Sequence, residues 1–339
     1  MALNTYSRKE ELLAAIANGD ASAVPEPRSR VEKLLLAAAN GENTGLPEPR
    51  TREEALLVAV CDTIAGGGGT EITDGIVVKA RDADGYATEV ELYNSEGKVP
   101  NRQFSCSEYY GHGAPMKNVK TVVFKSPITE IGKEAFSYAQ ADAADTTKHQ
   151  AIENIDLSNV VKIGTYAFQR CIGLKSVDLS NCEQFWLDDD NYTYWNFPAY
   201  NFWKCTGLTS ISLPKLPFIP LGAFMDCTSL VTVNAPIATV IKSTNSKGAF
   251  ANCTSLQNCE IGSITHGVTE IGDYVFYGCT QTGLTITVYT TGAYADTALT
   301  NIRNGATNAT IIIKAAEATT YNGTAYSAGE TIITSEVTA

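Results

Sequence analysis

The chain has 339 residues, a formal net charge of −12, a pI of about 4.8 and 44% hydrophobic residues. That hydrophobic content is typical of folded proteins, so it excludes disorder throughout the chain. The negative charge is not offset by any Lys/Arg cluster, which argues against nucleic acid and anionic lipid as partners.

The sequence predicts neither a membrane span nor a secretory signal peptide. No window has the roughly 18 consecutive apolar residues of a membrane span, and the segment from Met1 to Glu11 lacks the apolar core of a secretory signal peptide. We therefore expect synthesis in the cytoplasm. The final location stays unknown, with association to a virion or to a cell surface left open.

Residues 1–65 contain a motif that recurs every 22 residues, starting at Ser7, Ser29 and Thr51. Each copy has the Ser/Thr-Arg-x-Glu pattern of a capping box followed by apolar helix formers, which predicts three short helical repeats. Such helices are too short to be stable alone, so they would pack on each other, on a second copy of the chain or on a partner. A homo-oligomer formed through these helices is therefore one expectation. The four glycines within residues 66–70 predict a flexible linker.

Residues 71–98 are predicted as a β segment that leads into a second repeat, which runs over residues 99–290 in about seven copies. In its clearest copy Phe168 is followed by Cys171, Leu174, Val177 and Leu179. The last two apolar residues alternate with period two, which indicates a short strand with one face inward, and Phe and Cys would fill the inside of the return turn. A single coil cannot bury its own apolar face, so the coils must stack. The other copies start at Phe104, Phe136, Phe202, Phe224, Phe250 and Phe276, with insertions after the first two and a shift of about one residue after the last.

Two motifs in this region match a known repeat. The segment Ile131-Gly132-Lys133-Glu134-Ala135-Phe136 and the closing Ser212-Leu213-Pro214 resemble the BspA-type leucine-rich repeat of bacterial surface and adhesion proteins. The resemblance implies an α+β chain with a leucine-rich-repeat solenoid, a parallel strand ladder and a binding or adhesion function. The helical repeats, with their Pro-Glu-Pro connectors, are similar to N-terminal modules of prophage and phage tail proteins. That similarity implies an alternative role in a phage tail or baseplate.

Residues 291–339 are rich in Thr and Ala and predict a C-terminal β cap. Ile311-Ile312-Ile313 and Thr331-Ile332-Ile333 flank Tyr321-Asn322-Gly323, whose last two residues favour a tight hairpin turn. A cap is needed because the open end of a coil stack exposes strand edges and apolar core.

No catalytic residue, metal site or cofactor is predicted. The cysteines at the repeat position (Cys171, Cys205, Cys227, Cys253 and Cys279) share their slot with Ser107 and Ala139, so we interpret them as small buried core residues and not as metal ligands. His112, His149 and His266 lie far apart and have no ligand spacing. The densest carboxylates, Asp188 to Asp190, would carry the alternatives of a cation site or a glycan-cleaving enzyme.

Two sets of residues are candidates for binding a protein or glycan of a host cell or a neighbouring cell. The first is the outward, concave face of the ladder, a polar surface whose alternative role is a solvated sheet face: Asn154, Asp156, Ser176, Asp178, Ser210, Ser212, Thr232, Asn234, Asn258 and Glu260. The second is the aromatic insertion at residues 183–200, whose side chains would either bind a partner or form a roof over the coils: Trp186, Tyr192, Tyr194, Trp195 and Tyr200.

Overall fold

The computed structural model of the chain describes residues 74–84, 86–104, 118–138, 151–185, 199–244 and 247–336. The predicted helical repeats at residues 1–65, the linker at 66–70 and the aromatic residues Trp186, Tyr192, Tyr194 and Trp195 lie outside the described residues.

The described residues form mostly short strands, as expected for a chain that turns every few residues. The strands are β1 (Asp74–Arg81), β2 (Ala87–Asn94), β3 (Lys98–Val99), β4 (Thr121–Phe124), β5 (Glu130–Ile131), β6 (Asn154–Ile155), β7 (Lys162–Ile163), β8 (Ser210–Ser212), β9 (Phe218–Ile219), β10 (Thr232–Ala235), β11 (Val240–Ile241), β12 (Ser243–Thr244), β13 (Lys247–Gly248), β14 (Asn258–Ile261), β15 (Glu270–Ile271), β16 (Thr285–Thr290), β17 (Thr310–Ala315), β18 (Thr319–Tyr321), β19 (Thr324–Tyr326) and β20 (Thr331–Ser335).

Two sheets carry the predicted parallel ladder and confirm it except at one coil, because the predicted strand at Val177 and Leu179 is not a strand in the structure. The first has the strand order β1-β2-β4-β6 and the second β20-β17-β16-β14-β10-β8. The strands of successive coils pair in parallel and in register, so that Ile211, Val233, Cys259, Ile286 and Ile311 form one inward row. The outermost strands, β1 and β20, are the antiparallel members of these two sheets. One end of each ladder is therefore an antiparallel strand, whereas β6 and β8 at the other ends pair in parallel.

Most coils also contribute a second short strand. These strands form two further parallel sheets, β3-β5-β7 and β9-β11-β15. Their inward residues include Ile131, Ile163, Ile241 and Ile271, which are all buried. Such a coil therefore has two strand segments, and the Phe–Cys turn connects the second strand segment to the next ladder strand.

The phenylalanines of the seven predicted copies form one continuous column. Their rings stack on one another with interplanar angles of 13° or less and with centroid separations from 4.8 Å, between Phe104 and Phe136, to 5.7 Å, between Phe250 and Phe276. All seven side chains are fully buried. Burying a large apolar side chain contributes roughly 1.5–3 kcal/mol, so this column is a main source of stability.

The repeat cysteines lie beside this column, and the prediction that they are small core residues is confirmed. Cys171, Cys205, Cys227, Cys253 and Cys279 are buried and free of disulfide bonds. Each thiol donates a hydrogen bond to the backbone carbonyl of the phenylalanine in the preceding coil, at sulfur–oxygen distances of 3.0–3.3 Å. Cys182, outside the repeat frame, is also buried.

The C-terminal region differs from the β cap that the sequence predicts, because it contains a helix. A 3-10 turn at Gly292–Tyr294 leads into α1 (Ala295–Gly305), which connects the parallel strands β16 and β17. Ala298 and Ile302, four residues apart, bury the inner face of α1. Its N-terminus has no side-chain cap, so the usual start signal of a helix is missing from the sequence. The Asn322-Gly323 hairpin is present between β18 and β19.

Candidate functional site

The ten residues predicted on the outward face of the ladder are all exposed to solvent. They alternate along the chain with buried or half-buried residues, as Thr232 and Asn234 alternate with the buried Val233 and Ala235. We call this surface the ladder face and define it by the outward side chains of the ladder strands. Exposure makes these residues accessible, but it does not show which of them can bind a partner.

In the N-terminal part of the ladder face, several polar groups already have partners within the protein. The Asn154 amide donates to the Thr121 hydroxyl at 3.3 Å. Asp156 accepts the backbone N–H of Ser158 at 2.9 Å, and hydrogen bonds from Ser158 lower the pKa of this carboxyl below its ordinary value. Asp178 accepts the backbone N–H two residues later, also at 2.9 Å. These three side chains therefore have less capacity to bind a partner.

Further along the stack the ladder face contains a shallow depression that spans β10, β14 and β16. We call it the ladder depression. Four of its polar side chains belong to the predicted set, and two were missed by the sequence analysis. The six polar residues that line it are Thr232, Asn234, Asn258, Glu260, Thr285 and Thr287.

The missed residues, Thr285 and Thr287, follow the last copy of the repeat, where the spacing shifts by about one residue. The structure places both in register with the predicted residues, because β16 pairs in parallel with β14. The alternation Thr285-Ile286-Thr287-Val288 is the sequence signal that identifies this strand and its outward face.

The six polar residues form two rows across the strands. One row is Thr232, Asn258 and Thr285, and the other is Asn234, Glu260 and Thr287. Neighbouring strands lie about 4.8 Å apart, and two residues along one strand span roughly 6.5 Å, so the rows form a regular grid. Among the described residues, no side-chain hydrogen bond or ion pair connects these six polar side chains to another group of the protein. Their donors and acceptors are free for a ligand.

Electrostatically, the depression is weakly acidic. Among the described residues that line it, Glu260 is the one charged side chain. Tyr289 follows Thr287 on the same side of β16, and the Lys314 ammonium lies 5.2 Å from its ring centroid and 3.3 Å from its hydroxyl. Lys314 is therefore held against Tyr289 at this end of the face.

Two aromatic residues at the edges of the insertion are part of the core. Phe185 is fully buried, with its ring 5.9 Å from Phe202 and 5.7 Å from Phe224. Tyr200, a predicted binding residue, is 6% exposed and packs 5.2 Å from Tyr166. Such burial leaves little of Tyr200 for a partner and favours the roof alternative for this residue.

Asn201, beside Tyr200, connects the insertion to the coils. Its fully buried amide nitrogen lies within 3.1 Å of the carbonyl oxygens of Ile163, Gly164 and Phe185. In most other copies this position is a small apolar residue, such as Ala167 or Ala223. The amide therefore fixes the end of the insertion to the wall of the neighbouring coil.

Within the part of the chain that the structure describes, no three His, Cys, Asp or Glu side chains come together as a metal-binding group. In the same residues no helix is both long and apolar enough to cross a membrane.

Comparison with known proteins identifies the repeat. The BspA type Leucine rich repeat region matches residues 144–185 and 195–316 in six copies. The gap between the two matched segments falls within the predicted aromatic insertion. The match continues through α1 to residue 316, so it includes the coil that the helix completes.

A search of curated proteins found no match. Among solved structures, a leucine rich cell surface protein from Faecalibacterium prausnitzii A2-165 is similar at 19% sequence identity and a TM-score of 0.25. The similarity covers 57% of this chain and 57% of that protein.

The family match covers the coils in which Phe rings stack, thiols bond to Phe carbonyls and ladder strands pair in parallel. The sequence motif and the three-dimensional repeat therefore agree, and the chain contains a BspA-type leucine-rich repeat region over residues 144–185 and 195–316.

Proposed function

We propose that this chain is a non-catalytic binding protein that acts at a cell surface and uses the ladder depression to adhere to a protein or glycan of a host cell or a neighbouring cell. The observation that carries the proposal is the grid of six polar side chains whose hydrogen-bonding groups are free of partners among the described residues. In a folded protein, polar groups that are not needed for internal pairing are available for recognition.

Family membership supports a binding role. Leucine-rich repeat proteins generally act by presenting a surface to a partner, and the related solved structure is described as a cell surface protein. The coil stack is a suitable scaffold, because a solenoid of stacked repeats holds side chains on one rigid face. The role in a phage tail rests on residues 1–65 and stays a prediction.

The test compares two variants on arrays of glycans and of extracellular proteins. Asn234→Ala combined with Asn258→Ala removes two free amides from the depression, and Asn304→Ala removes an exposed amide from α1 as the control. For a ligand that the wild type binds, we expect the affinity to fall at least tenfold in the double variant. The control variant should keep the wild-type affinity. Equal binding by all three proteins, or no binding to either array, would overturn the proposal.

A further inference from the structure

We propose that the ladder depression binds a linear, uncharged or amino-bearing polysaccharide, laid across the coils with one sugar residue per coil. This inference rests on the proposed binding function and assigns its ligand class. It is argued from the direction, spacing, chemistry and charge of the lining residues.

The depression lies on the face of the sheet and not at its edge, which excludes the usual way in which a sheet binds a peptide. A peptide that adds to a sheet pairs with an unpaired strand edge. The depression instead lies on the face of three strands, and β14 pairs with β10 on one side and with β16 on the other. The backbone groups of β14 are therefore used within the ladder, and a ligand must be recognised through side chains.

The spacing of the grid favours a sugar polymer over an extended peptide. Equivalent side chains in the depression repeat once per strand, at about 4.8 Å. An extended peptide presents side chains to one face roughly every 6.5 Å, so it loses register with the grid after one residue pair. A pyranose polymer joined through positions 1 and 4 advances by close to one strand spacing per sugar. Each sugar would then meet one pair of side chains, such as Asn258 and Glu260.

The chemistry of the lining matches sugar hydroxyls. Five of the six polar side chains are hydroxyls or amides: Thr232, Asn234, Asn258, Thr285 and Thr287. Each of these groups both donates and accepts hydrogen bonds, as sugar hydroxyls do. Small polar side chains with few rotatable bonds also lose little conformational entropy when a ligand orders them.

The charge of the site determines which polysaccharides fit. Glu260 lies in the middle strand of the depression and is exposed, and the chain carries a net charge of −12. Polymers of uronic acids or phosphodiesters would meet a like charge at the centre of the grid. A neutral polymer avoids this repulsion, and an amino sugar would gain an opposite charge from Glu260.

The experiment is a calorimetric titration of the full chain with β-1,4-linked oligomers of glucose, of N-acetylglucosamine and of glucosamine, two to six sugars long. We expect affinity to rise at least fivefold from two to three sugars and to change little beyond, because the depression spans three strands. Asn258→Ala should lower the affinity about tenfold, whereas Asn304→Ala should leave it unchanged. Polygalacturonate should not bind the wild type but should bind Glu260→Gln measurably.

The outcomes separate this inference from the proposed function. If none of the oligomers binds while a protein on the array binds through Asn234 and Asn258, the glycan inference is wrong and the binding function stands. Affinity that keeps rising evenly to six sugars, or that is equal in Asn258→Ala and wild type, would also overturn the inference. If ligands bind but no substitution in the depression changes their affinity, the proposed function and the glycan inference are both wrong.

Discussion

The thiol of Cys227 donates a hydrogen bond to the backbone carbonyl of Phe202 in the preceding coil, with 3.2 Å between sulfur and oxygen. The same carbonyl accepts the backbone N–H of Cys205 at 3.1 Å within its own coil. One phenylalanine carbonyl is therefore satisfied twice, once within the coil and once by the next coil. Cysteine suits the position because it is small, apolar and still a weak donor.

Replacing this cysteine should weaken the stack. We expect Cys227→Ala to lower the free energy of unfolding by about 1–2 kcal/mol, because it removes a buried hydrogen bond and leaves a small cavity. Urea denaturation followed by circular dichroism measures the change. Thr254→Ala, an exposed residue near Cys253, is the control and should stay within about 0.5 kcal/mol of the wild type. A Cys227→Ala variant as stable as that control would show that the thiol bond contributes nothing.

Buried thiols should also make the protein sensitive to alkaline pH. Burial raises the pKa of Cys279 and of Cys182 from 9.0 to about 12, and that of Cys205 well above 9.0. The unfolded chain releases these protons first, so the stabilising effect is complete below about pH 9 and is lost as the pH rises toward 12. Each thiol should contribute a slope of about 1.4 kcal/mol per pH unit in that range.

Urea denaturation at several pH values between 8 and 10.5 measures this slope. Cys205→Ala should lower the free energy of unfolding at pH 8. Its free energy of unfolding should then fall less steeply with pH than that of the wild type, because one buried thiol no longer contributes to the slope. A variant with the same pH dependence as the wild type would mean that Cys205 ionises as easily in the folded protein as in the unfolded chain.

Gly222 should tolerate no side chain. Its φ angle is +71°, and a Cβ there would overlap the ring of Tyr200. We expect Gly222→Ala to lower the free energy of unfolding by about 3 kcal/mol. This loss combines the strain of the left-handed backbone with the cost of displacing the ring. Thermal and urea unfolding provide the measurement.

A matched control separates the two causes. Gly283 has a φ angle of +80°, and a Cβ at this residue would have no neighbouring atom within 4 Å. Gly283→Ala should therefore cost only the left-handed strain of about 1–2 kcal/mol. Equal losses at the two glycines would argue that the Tyr200 ring moves aside freely and does not act as a fixed part of the roof.

Arg303 should hold the C-terminal strand in place. Its guanidinium donates to the carbonyl oxygens of Thr307 and Ala309 and to the carbonyl and hydroxyl of Ser335, at 2.7–3.0 Å. We expect Arg303→Ala to lower stability by about 2–3 kcal/mol and to speed hydrogen exchange in β20. Arg303→Lys should be intermediate, because an ammonium cannot replace the fork of donors. Unchanged exchange in β20 would contradict this role.

The repeating parts of the fold were predictable because each copy carries its own pattern. The offset from Phe202 to Cys205 and Leu208 and the alternation around Ile211 are short-range features. Most copies repeat them, and five of the seven carry the cysteine, so the stacked rings, buried thiols and parallel ladder follow from one coil and its duplication. The exposed positions of the ladder face follow from the same alternation.

The candidate site was predictable only in part. Asn258 and Glu260 were found by their position in the repeat, whereas Thr285 and Thr287 were missed because the spacing shifts before them. The pattern alone also did not distinguish Asp178 from Asn234. The carboxylate of Asp178 accepts a hydrogen bond from the backbone N–H of Ser180, whereas the amide of Asn234 has no partner among the described residues.

By itself, the sequence determined the repeat, its inward and outward positions and the family, because these depend on spacings within one copy. Only the tertiary structure decided that Tyr200 lies against Tyr166, that α1 closes a coil and that six polar side chains in one depression have no partner within the part of the chain that the structure describes. The physical reason is that burial and hydrogen bonding depend on neighbours in adjacent coils, and no single copy of the repeat contains those neighbours.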